Sequence, residues 1–167
     1  SLGEALIDFK GTGDLSFQGY PGGSPFNVAV ACARLGVPTG FVSQLSDDLF
    51  GRRLAAHLEA SSVDTSLVYS SSAPTALAFV EAAAGTTSYQ FLSAGSADVL
   101  FDPRPRPRLP ESVRSLHFGS LALLRDPAAA AILDIVRAFR GGVVMLDPNV
   151  RPSQIADRKR YLQALSE

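Results

Sequence analysis

Apolar and polar positions follow two different periods along this chain. Residues 5–7 (Ala5-Leu6-Ile7) form a short apolar run that predicts a buried strand. Residues 10–20 hold three glycines and alternate weakly around Leu15, Phe17 and Tyr20, which predicts a loop or a small ribbon. Ser24-Pro25 then opens a helix, with Ser24 as N-cap and Pro25 at the first helical position. That helix runs to Leu35 and stops at Gly36. It is apolar nearly all round, so burial is expected on every side. Residues 40–45 read as a second strand. Phe50, Leu54 and Leu58 then recur every four residues, the mark of an amphipathic helix.

The period changes at residues 75–93. Two β-type runs, Thr75 to Val80 and Thr87 to Leu92, flank a turn near Gly85 and predict a hairpin. The Pro/Arg run 103–108 reads as a stiff connecting loop. Alternation of strand and helix resumes with a strand at 115–118, a helix capped by Asp126-Pro127 with Ile132, Val136 and Phe139 on one face, and a strand at 143–146. The last residues begin another helix. Such alternation predicts an α/β fold, a doubly wound and mostly parallel sheet with helices on both faces. The hairpin breaks that rhythm and is a candidate flap. Both chain ends fall inside apolar or helical pattern, which suggests part of a longer fold.

Composition narrows the function classes. The chain has 167 residues, 46% hydrophobic, enough for one domain with a real core. A net charge of -1 gives no electrostatic case for nucleic acid or an anionic membrane. The lone Cys32 cannot form an internal disulfide and is expected to be a buried thiol in a cytoplasmic protein. No apolar stretch approaches the ~20 residues of a membrane span.

Ligands of open α/β sheets collect beyond the carboxyl ends of the strands. The first strand is expected to end in Asp8, the 115–118 strand in Gly119-Ser120, and the 143–146 strand in Asp147-Pro148-Asn149-Val150-Arg151. Each could cap a turn, but three together point to a site. In Gly22-Gly23-Ser24-Pro25-Phe26-Asn27, paired glycines allow close backbone approach, and the helix start offers free N–H groups. Asn27 is the one amide of an apolar helix and suits a sugar hydroxyl. On these residues alone, a glycine turn with Asn27 bonding local backbone is an equal reading. The stretch is neither a P-loop nor a dinucleotide fingerprint. Asp47-Asp48 read as a helix cap, His57 as a surface or packing histidine, and His117 as a satisfied core histidine. Ser120 has no His/Asp pattern of a hydrolase triad.

Together, Gly22-Gly23-x-x-x-Asn27, Arg34-Leu35-Gly36 and Asp47-Asp48-x-x-Gly51 resemble the N-terminal signature of PfkB-type (ribokinase-like) carbohydrate kinases. Glu4-Ala5-Leu6-Ile7-Asp8-Phe9, His117-Phe118-Gly119-Ser120 and Asp147 to Pro152 resemble its fructokinase branch. Ser46 stands where the signature usually has glycine. The resemblance implies the N-terminal, sugar-binding portion of a ribokinase-like domain over residues 1–167, with the C-terminal part of the fold missing. It implies that Asp8, Gly22, Gly23, Asn27, Phe91 and Ser120 bind a sugar, fructose above others. Segments 12–20 and 75–93 would form a lid, and the hairpin could pair two subunits as a homodimer. Asp147, Asn149 and Arg151 would face the phosphates of ATP and Mg²⁺.

Kinases of this kind transfer the γ-phosphoryl of ATP to a primary hydroxyl, using an aspartate and backbone N–H groups of a Gly-Ala-Gly-Asp motif. That motif does not occur in this chain. Ala94-Gly95-Ser96-Ala97-Asp98 has the wrong spacing, so Asp98 reads as structural. No catalytic residue is therefore expected among these residues, and a non-catalytic sugar-binding module or an inactive fragment is the alternative.

Overall fold

In the computed structural model, described for residues 1–83, 86–151, 154–155 and 157–166, two sheets share one α/β body. The main sheet is parallel. Its strands β3 (Ser43–Ser46) and β4 (Val68–Ser71) pair on one side, and β7 (Ser115–Gly119) and β8 (Val143–Asp147) pair on the other. The first residues join the pairs, because Leu2 bridges both Val42 and Phe118. The Leu2 N–H donates to His117 O at 2.8 Å, and the Val42 N–H to Ser1 O at 2.9 Å.

The second sheet is mixed, in the order β2-β1-β5-β6. It contains β1 (Leu6–Gly13), β2 (Ser16–Gly22), β5 (Ala76–Ala83) and β6 (Thr86–Leu92). The expected loop or ribbon at 10–20 is therefore a ribbon, and the expected hairpin at 75–93 forms. The turn at Gly85 lies outside the described residues. Ile7, Phe9 and Leu77 pack this sheet against Phe26, Phe41, Leu54 and Leu58 of the body. Phe9 stacks on Phe79 at 5.2 Å and meets Phe50 edge-on at 5.6 Å.

Helices cover both faces of the main sheet. Helices α1 (Ser24–Arg34) and α2 (Leu49–Ala60) build one core, and α3 (Ala128–Ala138) builds the other with Leu2, Phe101, Leu116 and Phe118. Helix α4 (Arg158–Ser166) anchors Tyr161, whose hydroxyl donates to Pro148 O at 2.9 Å.

Four local expectations are corrected. Gly23, not Ser24, is the N-cap of α1, because the Glu4 carboxylate rather than a cap hydroxyl takes the Ser24 N–H. Pro127, rather than Asp126, takes the N-cap position of α3. Helix α1 buries only Pro25, Phe26, Ala29 and Val30, since the body packs against one side of it; Asn27, Ala31 and Arg34 are exposed. Cys32 is consequently half-buried rather than buried. Asp48 does cap α2, accepting from the Phe50 and Gly51 N–H groups. No helix among the described residues is long and apolar enough to cross a membrane.

Candidate functional site

The site begins where the chain leaves the main sheet. Gly3, with φ of 146°, turns the chain between Leu2 in the main sheet and Leu6 in β1. The chain thus crosses between two sheets over residues 3–5, the apolar run 5–7 opens β1 in the second sheet, and Asp8 lies inside β1 rather than at a strand end. Its position is fixed by register. Asp8 sits opposite Tyr20 on one side and Ala78 on the other, and Ala78 sits opposite Phe91. Residues directly opposite share a face, so Tyr20, Asp8, Ala78 and Phe91 form one row across the sheet. Leu6, Ala76 and Ala78 on that face pack with Phe91 and with Leu121 of the Ser120–Leu123 turn. The underside of the hairpin sheet therefore looks onto the end of β7.

Gly22 and Gly23 are required by close approach. A Cβ on Gly22 would lie 2.2 Å from Asp8 Oδ2, and one on Gly23 would lie 2.5 Å from Glu4 O at a φ of 110°. The same holds for Gly119, whose Cβ would meet Asp147 O at 1.9 Å. These glycines draw the start of α1, the end of β7 and the end of β8 together. Ser120 is buried with φ of 60°. Its hydroxyl accepts from Asn149 Nδ2 at 3.2 Å. Asp147 accepts the Asn149 N–H on Oδ1 at 2.9 Å and the Ser24 hydroxyl on Oδ2 at 3.4 Å.

Charge at the site is unevenly matched. Burial pushes the Asp8 carboxyl up, while Lys10 and then Arg151 pull it down. Among the described residues, no hydrogen bond contributes to that balance, so Asp8 has open acceptor capacity. Lys10 lies over the Tyr20 ring at 5.1 Å. Arg151 Nη1 reaches Asn149 O at 3.4 Å and also acts on Asp8, linking two groups of residues that the sequence separated. Asn27 lies on the exposed side of α1, one turn from Ser24, and its N–H donates to Gly23 O at 2.9 Å.

Sequence reasoning missed Glu4. Its side chain is 2% exposed, with Oε1 accepting the Ser24 N–H and Oε2 the Ala122 N–H, both at 3.1 Å. Burial lifts its carboxyl to about 7, against hydrogen bonds from Ser120, Ser24 and Ala122. The one available signal was a carboxylate inside an apolar run. Other groups stay outside the site. His57 stacks on Phe26 at 5.9 Å, as a packing histidine does. His117 is only partly buried and meets the Ser1 hydroxyl through Nδ1 at 3.1 Å. Asp98 accepts from the Ser96 hydroxyl. A groove of about 580 Å³, lined by Cys32, Thr39, Asp64 and His117 among others, includes none of the candidate residues.

A pfkB family carbohydrate kinase profile matches residues 1–167. A fructokinase from Rhizobium leguminosarum bv. trifolii is 37% identical over 96% of this chain and 51% of its own length. Among solved structures, a fructokinase from Xylella fastidiosa with bound ATP matches with a TM-score of 0.84 at 32% identity, over 99% of this chain and 54% of that one. A fructokinase from Vibrio cholerae in a fructose-, ADP- and calcium-bound form matches with a TM-score of 0.83 at 26% identity, over 99% and 55%. The chain spans about half the length of the relatives it matches.

Proposed function

The chain belongs to the pfkB family of carbohydrate kinases, and from that premise we propose that it supplies the sugar site of an ATP-dependent kinase acting on fructose. The observation that carries the reading is the row Tyr20-Asp8-Ala78-Phe91, facing the glycine-lined approach of α1, β7 and β8. A carboxylate without hydrogen-bonded partners among the described residues can accept two hydroxyls, and Phe91 supplies an apolar surface for a sugar's C–H face. Gly22 and Gly23 let the chain pass close beneath that ligand, with Asn27 one turn along α1 and Ser120 at the base.

Asp147, Asn149 and Arg151 form the end of the site proposed for the phosphates. Arg151 offers charge and several donors suited to phosphate oxygens. Among the described residues no cluster of three His, Cys, Asp or Glu groups could hold a metal. An exposed aspartate beside an asparagine nevertheless fits Mg²⁺, which keeps most of its waters and shares one or two carboxylates with substrate phosphate. Bound with ATP, Mg²⁺ would neutralise charge on the phosphates. No residue described here takes the proton of the attacking hydroxyl, so the proposed share of this chain is binding and orientation.

Calorimetric titration with fructose tests the reading. Asp8→Asn and Asn27→Ala are each expected to weaken binding by roughly tenfold or more, the cost of about one lost hydrogen bond to a charged or amide group. A parent chain that binds no sugar at all rejects it.

A further inference from the structure

Glu4 is a buried carboxylate that the sugar-site reading leaves without a task, yet it closes a ring of hydrogen bonds around the site. Its Oε1 holds the Ser24 N–H; the Ser24 hydroxyl donates to Asp147; Asp147 accepts the Asn149 N–H; Asn149 Nδ2 donates to the Ser120 hydroxyl; and Ser120 returns to Glu4. Oε2 adds the Ala122 N–H, fixing the turn that follows Ser120. The ring joins the start of α1 and the ends of β7 and β8 with atoms that are individually weak anchors. The Asp147 links are exposed, whereas Glu4 and Ser120 are buried, so removing Glu4 leaves the Ala122 N–H and the Ser120 hydroxyl without their acceptor.

We propose that Glu4 is a positioning residue: as a carboxylate it holds the first turn of α1 and the Ser120 turn, and through them Asp147 and Asn149, in the arrangement that accepts sugar. The inference rests on the sugar-site reading. Its chemistry is one of donors and acceptors. The ionised carboxylate only accepts, so the Ser120 hydroxyl gives its hydrogen to Glu4 and its lone pair to Asn149. When Glu4 takes a proton from solvent, its new O–H needs an acceptor. Of its four partners, three are backbone N–H groups, those of Glu4 itself, Ser24 and Ala122, and only the Ser120 oxygen can serve. The two lone pairs of Ser120 then take the Glu4 O–H and the Asn149 donor, and its own hydrogen loses the carboxylate that accepted it. The backbone N–H beside the protonated oxygen loses an ionised acceptor, so the hold on both turns weakens. The other titratable groups on the elements meeting here are Asp8 and Lys10 on β1, Cys32 and Arg34 on α1, His117 on β7, Asp147 at the end of β8 and Arg151 after it.

Two measurements on the full chain test this, using fructose as the probe. The first is fructose affinity by calorimetry from about pH 5.5 to 8.5. The second is the pH titration of the Ser24 and Ala122 backbone amides and the Asn149 side-chain amide by NMR. The parent is expected to gain affinity severalfold as pH rises, with all three amides titrating at a midpoint near the Glu4 value of about 7. Glu4→Gln is expected to bind at least tenfold more weakly and to lose the titration at all three amides. Glu4→Asp, with the charge on a shorter stem, is expected to keep a pH step at reduced affinity. Glu4→Gln binding within twofold of the parent throughout, or amides unmoved by pH, overturns the inference. No sugar heat in the parent at any pH removes the sugar-site reading instead, while a titration carried from Glu4 to Asn149 still supports the coupling.

Discussion

Glu4 carries its charge into the core with four hydrogen-bond donors around it, and burial still outweighs them, lifting its carboxyl from 4.5 to about 7. The fold therefore holds the proton more tightly than the unfolded chain does. That contribution to stability is complete below about pH 4.5 and is lost as pH rises through about 7. The difference corresponds to about 3 kcal/mol. The parent is expected to melt at lower temperature at pH 8 than at pH 5, and Glu4→Gln is expected to flatten that slope. An unchanged slope assigns the effect to another group. Beside it, Gly23 has no room for a side chain, because its Cβ would meet backbone atoms of Glu4 at 2.5 and 3.1 Å. Gly23→Ala combines that clash with strain at positive φ. It is expected to cost roughly 2 kcal/mol or more in urea denaturation.

At the scale of elements, Asp48 joins α2 to the hairpin sheet. Its carboxylate accepts the Phe50 and Gly51 N–H groups at the start of α2, and also the N–H and hydroxyl of Thr75 just before β5. Burial pushes this carboxyl up, but the Gly51 and Thr75 amides and the Thr75 and Ser46 hydroxyls outweigh it, leaving about 2. Its support is present above about pH 3.8 and disappears as pH falls through about 2. Asp48→Ala is expected to cost roughly 2–4 kcal/mol at neutral pH: about 1 for the cap and the rest for the buried Thr75 donors. Urea melts at pH 7 and pH 2 check this, and a difference between variant and parent that persists undiminished at pH 2 contradicts it. Asp48 was readable as a cap because its position before an amphipathic helix is a local signal. So were the hairpin and the strand-end groups Ser120, Asp147 and Asn149. What was not readable depends on distant partners. Nothing in residues 5–8 says that this apolar run belongs to a different sheet from Leu2. Nothing local says that Glu4, twenty positions earlier, displaces Ser24 from its capping role. The Asp8 row with Phe91 likewise follows from strand register, which hydrophobic pattern leaves open across the 82 residues between them.

The whole molecule exposes more surface than its size requires. Surface scaling gives a compact monomer of 17.6 kDa about 7,900 Å², whereas this chain exposes 9418 Å². The excess, about 1,500 Å², is nearly twice the roughly 800 Å² that one partner buries in a standard protein interface. Part of it lies on β8. Val143 and Met145 on one face, and Val144 and Leu146 on the other, are all exposed, and among the described residues no strand pairs with the second edge of β8. A free edge with apolar side chains on both faces is a template for pairing. Residues 1–167 are therefore expected to self-associate at tens of micromolar, through β8 of two copies. Sedimentation velocity over a concentration series reads this directly. The hairpin sheet is the competing surface, with Phe17, Tyr20, Tyr89 and Leu92 exposed. Val144→Lys with Met145→Lys is expected to shift the chain towards monomer, because each adds a charge on a different face of the strand without touching the cores built by Leu116, Phe118 and Ile132. Tyr89→Lys with Leu92→Lys is expected to leave association unchanged. The reverse outcome moves the contact to the hairpin sheet, and a parent that stays monomeric and melts cooperatively at those concentrations removes the prediction altogether.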